Sequence, residues 1–188
     1  MSFATMLTTM STGMLKTVLL FILTLVGSLP MGMVVVICKK SKFKPLAWLT
    51  EIYIAIMRGT PLMLQLLVWY FGPYYLFGFS LAPRYLFGIR IEIKFIALLV
   101  GFVMNYAAYF AEIYRSGIDS MPVGQYEASE ILGYSRGQTF FKIILPQALP
   151  HVLPSYRGEI VSLIKATAIV GYIAVQDLTK MGDIVRSR

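Results

Sequence analysis

Residues 17–38 form a run of 22 positions without a charged side chain, and a run of that length decides what the chain can fold into. As a helix rising 1.5 Å per residue it is about 33 Å long, the thickness of the hydrocarbon core of a bilayer at roughly 30 Å. It is longer than the apolar core of a secretory signal and no small-residue cleavage pattern follows it, so it is expected to stay as a membrane helix. In hydrocarbon every backbone amide must be satisfied inside the segment or in a closed barrel. The apolar runs lack the alternation of barrel strands, so the expected fold is all-α, a polytopic integral membrane helical bundle. Composition agrees: 14% of residues are charged and the mean hydropathy is +0.71, where a soluble domain carries about 25% charge. No linker, low-complexity tract or repeat divides residues 1–188, which read as a single domain.

Four spans are expected, at about 17–38, 52–78, 95–115 and 150–175, with a cytoplasmic loop over about 116–146. Lys39, Lys40, Lys42 and Lys44 follow the first span with no acidic residue among them. By the positive-inside rule this places that loop in the cytoplasm and the N-terminus outside. Arg84, Arg90 and Lys94 on the outer connection oppose that assignment, but they are spread out rather than clustered. Glu51 and Arg58 interrupt the first half of the second span; seven apart, they lie on one helical face as a structural pair or a cytoplasmic flank. Trp69, Tyr70, Phe71, Tyr74 and Tyr75 crowd its far end as an interfacial belt. Pro146, Pro150 and Pro154 fall near one face of a short pre-helix and the fourth span. A polar tail over 176–188 closes the sequence, where a further helix is expected to follow.

Several kinds of chemistry drop out. The net charge of +8 sits in short clusters between apolar runs, so no nucleic-acid partner is expected. One Cys, Cys38, and one His, His151, allow neither an internal disulfide nor a metal cluster. No G-x-x-x-x-G-K-[ST] loop and no triad-like set of side chains occurs. The chain is expected to be no enzyme and to bind no cofactor.

The expected cytoplasmic loop reads Glu127-Ala128-Ser129, three residues, Gly133, nine residues, then Ile143-Ile144-Leu145-Pro146. Residues 126–132 have room for two helical turns presenting Ala128, Ile131 and Leu132 as a small apolar anchor, with Glu127 and Glu130 free to meet polar groups. Gly133 is suited to a positive φ that turns the chain sharply. The spacing resembles the EAA loop of ABC importer permeases, E-A-A-x3-G-x9-I-x-L-P, with Ser129 its one departure. Arg58-Gly59-Thr60-Pro61-Leu62 followed by Gln65, and Asn105 with Ala108-Tyr109, Ala111-Glu112 and Arg115, resemble the polar amino acid branch of that family. Gly124-Gln125 and Gln147-Ala148 extend the likeness, whereas Lys165-Ala166-Thr167 departs from it with alanine where the family carries an acid, so no solute contact or cap is carried over there.

The resemblance implies a type I importer permease fold with a fifth core helix beyond this C-terminus, in a bacterial inner membrane. It implies a cytoplasmic ATPase dimer that holds ATP and Mg and is coupled through Glu127, Ala128, Ser129, Gly133, Ile143, Leu145 and Pro146. It also implies a second permease, the same or similar, an extracytoplasmic solute-binding protein, and a small polar amino acid as cargo. Among the polar residues in the spans, Thr60, Gln65, Asn105, Tyr109 and Glu112 are candidates for a translocation path, because a polar group facing lipid is costly. Interhelical hydrogen bonding explains the same residues equally well. Thr60 and Pro61 are expected to unwind the second span locally. An ion-gradient-driven secondary transporter and a non-transport membrane scaffold or enzyme are the alternatives, separated by whether uptake needs an ATPase.

Overall fold

In the computed structural model, residues 3–78, 84–86, 89–91 and 93–169 are described. The uncharged run lies inside helix α1 (Phe3–Lys39), which passes through Pro30 without ending. Leu15, Val18, Ile22, Val26 and Ile37 remain exposed on it, so it is apolar on the faces it does not bury, as a helix in lipid must be. After a four-residue basic turn come α2 (Lys44–Gly59), begun with Pro45 in its first turn, and α3 (Leu62–Phe77). A two-stranded antiparallel ribbon, β1 (Arg84–Leu86) with β2 (Ile89–Ile91), forms part of the next connection. The second long helix, α4 (Ile93–Asp119), follows. Then come α5 (Val123–Ile131), α6 (Arg136–Thr139), a π-helical turn (Phe140–Ile144) and α7 (Leu145–Ala166).

Helix α4 is the centre, touched by α1, α2, α3 and α7. Leu66, Leu98, Phe102, Phe110 and Leu163 are fully buried around it, and Val35, Val36, Ile54, Ala108 and Ala111 make a second apolar cluster nearer the basic turn. The contact of α1 with α4 is the most extensive in the bundle. Its closeness rests on Gly32, where an added Cβ would sit 3.0 Å from Phe110 Cβ and 3.1 Å from the Ala107 carbonyl oxygen. Small residues let backbones meet in this way where lipid supplies no hydrophobic drive between helices.

Three features depart from the expected span pattern. The stretch expected as the second span, 52–78, is two helices bent by 110° at Thr60-Pro61. Helix α7 runs without interruption through Pro150 and Pro154 instead of dividing into pre-helix and span. Among the described residues two helices, within α1 and α4, are long and apolar enough to cross a membrane, or three if the bent pair is one span. Helix α7, expected as part of a fourth, carries His151, Arg157, Glu159 and Lys165. Its expected continuation over 170–175, the polar tail, and Pro83 and Gly88 of the outer connection lie outside the described residues.

Gly32→Val is expected to destabilise the bundle by about 1–3 kcal/mol through overpacking against α4. Gly59→Ala, with nothing within 4 Å of its added Cβ, is expected to be neutral or to gain up to about 1 kcal/mol from helix propensity. Thermal unfolding in detergent compares the two, and equal midpoints would disprove the role assigned to Gly32.

Candidate functional site

The polar arm between α4 and α7 is built from local signals. Helix α5 ends in a Schellman closure: Gly133 takes φ +76°, its N–H donates to the Glu130 carbonyl at 3.0 Å, and the Tyr134 N–H donates to the Ser129 carbonyl at 3.0 Å. Ser135 then caps α6 in a capping box with Gln138. Ala128 and Glu127 are exposed, as are Ile131 at 87% and Leu132 at 71%, which leaves a small apolar knob at the tip of the arm without a partner among the described residues. Ser129 is buried instead, its hydroxyl donating to the Gln125 carbonyl at 2.5 Å.

The root of the arm is firm. Met121, Ile144 and Ala148 form a buried cluster with half-buried Ile143 and Phe140 against it. Gln147 Nε2 donates to Gln125 Oε1 at 3.1 Å, tying α5 to α7. Leu145 is half-buried and Pro146 exposed. The Leu145 N–H donates to the Phe140 carbonyl in the wider π register, so the helix changes pitch just before Pro146, which has no N–H to give. Helix α7 in turn packs on α4 at Gly117, whose missing side chain makes room for Val152.

A second polar constellation lies at the bend between α2 and α3. Proline at position 61 removes the N–H that would have bonded the Met57 carbonyl one turn earlier. Two amides replace it: Gln65 Nε2 and Asn105 Nδ2 each donate to Met57 O at 3.0 Å. Gln65 Nε2 also reaches the Thr60 carbonyl at 3.1 Å and Thr60 Oγ1 at 2.7 Å. Asn105 Nδ2 closes the set on Gln65 Oε1 at 2.9 Å. Gln65 and Asn105 are 8% and 4% exposed, and these protein bonds satisfy the bend. The Tyr53 hydroxyl donates to the Met104 carbonyl beside it.

Glu112 belongs to a third group. It accepts from Lys39 Nζ at 2.7 Å and from Arg115 at 2.8 and 3.0 Å, and Arg58 Nη1 stands 3.8 Å away. Asp119 accepts from Lys40 at 2.6 Å and Arg115 at 2.9 Å. The Arg58 guanidinium lies 5.4 Å over the Tyr109 ring. Arg58 therefore pairs with Glu112 rather than with Glu51, which has no ion pair among the described residues.

The structure thus joins Thr60, Gln65 and Asn105 in one hydrogen-bonded set and places Tyr109 and Glu112 at Arg58, one step along α4. Sequence reasoning missed the lysine pairing. Lys39 and Lys40 have no acid near them in the chain, yet Glu112 and Asp119 meet them across 73 and 79 residues. The seven-residue spacing of those two acids, one face of a helix facing two adjacent lysines, was the available signal. His151 is exposed, with Nδ1 2.9 Å from the Gln147 carbonyl, an oxygen that only accepts. No group of three metal-ligating side chains occurs among the described residues.

Residues 28–184 match the family described as binding-protein-dependent transport system inner membrane component. The arginine transport system permease protein ArtQ of Bacillus subtilis is 34% identical over 174 residues, 93% of this chain and 72% of that one. A putative glutamine transport system permease protein of Rickettsia bellii is 35% identical over 92% of this chain and 74% of its own length. The crystal structure of an amino acid ABC transporter with histidines superposes with a TM-score of 0.79 at 33% identity, covering 100% of this chain and 83% of that one. An inward-facing MetNI methionine ABC transporter, at 20% identity, 97% of this chain, 82% of that one and a TM-score of 0.65, shares the fold.

Asn105→Leu is expected to cost about 1–3 kcal/mol, because it strands Gln65 Oε1 and leaves Met57 O with one donor. The loss should appear in thermal unfolding without any solute present. Glu51→Gln, at an exposed position with no ion pair among the described residues, should change nothing. An unshifted midpoint for Asn105→Leu would remove the bracing role.

Proposed function

Because this chain belongs to the family of binding-protein-dependent transport system inner membrane components, it is a permease subunit of the inner membrane, and we propose that it carries polar amino acids in an ATP-driven importer. The observation that carries the reading is the α5 arm: an exposed apolar tip, a Gly133 closure and a root packed into α7, at the positions that match the importer loop motif. The names of the relatives, transporters of arginine and glutamine, support polar amino acids as the cargo class.

In this reading a separate cytoplasmic ATPase dimer binds ATP and Mg, this chain binds no cofactor, and the N-terminus of α1 is outside. Ala128, Ile131 and Leu132 seat in a groove of the ATPase, with Glu127 beside them. When the ATPases close, α5 is pulled sideways. Gln125, Gln147 and the Met121–Ile144–Ala148 cluster make α5 and the start of α7 one body, so the pull reaches α7 and, at Gly117, α4. Ile143, Leu145 and Pro146 form the root of this lever. A second permease, identical or similar, provides the other wall, and an external binding protein delivers solute. The path runs along the face of α4 at Tyr109 and Arg58, with Thr60 and Glu112 beside it and Gln65 and Asn105 one layer behind, holding the bend.

Two predictions test this reading. Uptake into proteoliposomes holding the whole complex is expected only with ATP on the ATPase side; uptake without the ATPase would support a gradient-driven carrier. Gly133→Leu, which forces a side chain into the left-handed region at a cost of about 1–2 kcal/mol, is expected to lower solute-stimulated ATP hydrolysis at least about fivefold, the scale of a typical coupling free energy. Unchanged stimulation in a complex that still assembles would refute the lever.

A further inference from the structure

Between the basic end of α1 and the folded-back arm lies an open groove of about 970 Å³ that neither the bend nor the coupling tip uses. Its floor includes Met33 and Ile37 of α1, Tyr126 of α5 and Phe141 of the π-helical turn, and its rim carries Lys40 and Arg136. From Met33 to Lys40 it runs about 10 Å along α1, from the charged end of the span into the apolar part. Ile37 and Phe141 are 63% and 68% exposed there.

Charge at the rim is mostly positive. Lys40 shares Asp119 with Arg115, and Lys142 stacks 5.7 Å over the Tyr134 ring. Lys42 and Lys44, next in the chain, and Arg136 are exposed and have no ion pair among the described residues. Glu130 is the one carboxylate lining the groove. A polypeptide laid in this trough would have to satisfy its own backbone N–H and C=O groups against a mainly apolar floor with only Ser41, Tyr126, Tyr134 and Thr139 as neutral polar partners, whereas a hydrocarbon chain has none to satisfy. A mainly apolar slot between the end of a membrane helix and the polar arm, rimmed by cations at one end, is the complement of a lipid with a negative headgroup.

We propose that this groove holds one acidic phospholipid, its acyl chain against Met33, Ile37 and Phe141 and its phosphate between Lys40 and Arg136. The occupant ties the end of α1 to the arm, so the leaflet's charge enters the stiffness of the lever. The binding itself is independent of which solute is carried, while its effect on the lever rests on the coupling role proposed above.

The test uses the intact importer, exchanged into phosphatidylcholine nanodiscs with a small fraction of phosphatidylglycerol, released into neutral detergent and weighed by native mass spectrometry. The wild type is expected to retain one phosphatidylglycerol per copy of this chain. Arg136→Gln is expected to weaken retention about fivefold, the share of one cation at a membrane surface, while Arg136→Lys keeps it. Ile37→Trp, at an exposed position, fills the slot and should release the lipid with the rim charges intact. Equal retention in the wild type, Arg136→Gln and Ile37→Trp overturns the proposal. A benzoylphenylalanine placed at Phe141 should label lipid on irradiation; a cross-link to another polypeptide instead overturns it as well.

Discussion

A proline that starves a carbonyl organises the middle of this bundle. Position 61 has no N–H, so the Met57 oxygen loses its helical partner just where the chain swings through 110°. In a buried place that loss costs the full desolvation of a carbonyl, and the bend survives because Gln65 and Asn105 aim their amides at it from two other helical segments. The amide of Asn105 bonds both the orphan carbonyl and Gln65, so α2, α3 and α4 hold one another at a fixed angle. A kink that would be loose in isolation becomes a rigid corner.

Around that corner, charge and small side chains do complementary work. Gly32 brings α1 against α4, and two turns further on Lys39 and Lys40 close onto Glu112 and Asp119. Glu112 is 14% exposed and has three cations around it, so its charge is compensated from three helices at once. The polar arm then leaves the bundle from a stiff base. Its own order comes from short-range devices, a glycine closure, a capping box and a π-helical turn, while its hold on the bundle comes from Ile144, Ala148 and Gln147. A displacement at the exposed tip has few soft places in which to be absorbed before it reaches α7 and α4.

What could be read without coordinates was local or periodic. The uncharged 17–38 run required a membrane helix because hydrocarbon leaves a backbone no other choice. Gly133 marked a sharp turn because only glycine enters that backbone region freely, and the spaced loop motif pointed to its family. Pro61 announced a break, since the missing N–H is a property of one residue. What stayed hidden depends on residues far apart in the chain. Whether Gln65 and Asn105 face a solute or a carbonyl is decided by the 110° bend, and that angle is set by packing. The lysines that looked like bare topology markers are paired, because α1 and α4 lie side by side and bring positions 73 and 79 residues distant into contact. Sequence by itself therefore marked the uncharged span, the break at Pro61 and the turn at Gly133, since missing charge, missing donors and backbone freedom act within a turn, but not the unbroken course of α7 through Pro150 and Pro154. Tertiary structure alone decided which polar groups satisfy one another and which remain open to a partner, since that depends on distances across helices that no residue encodes alone.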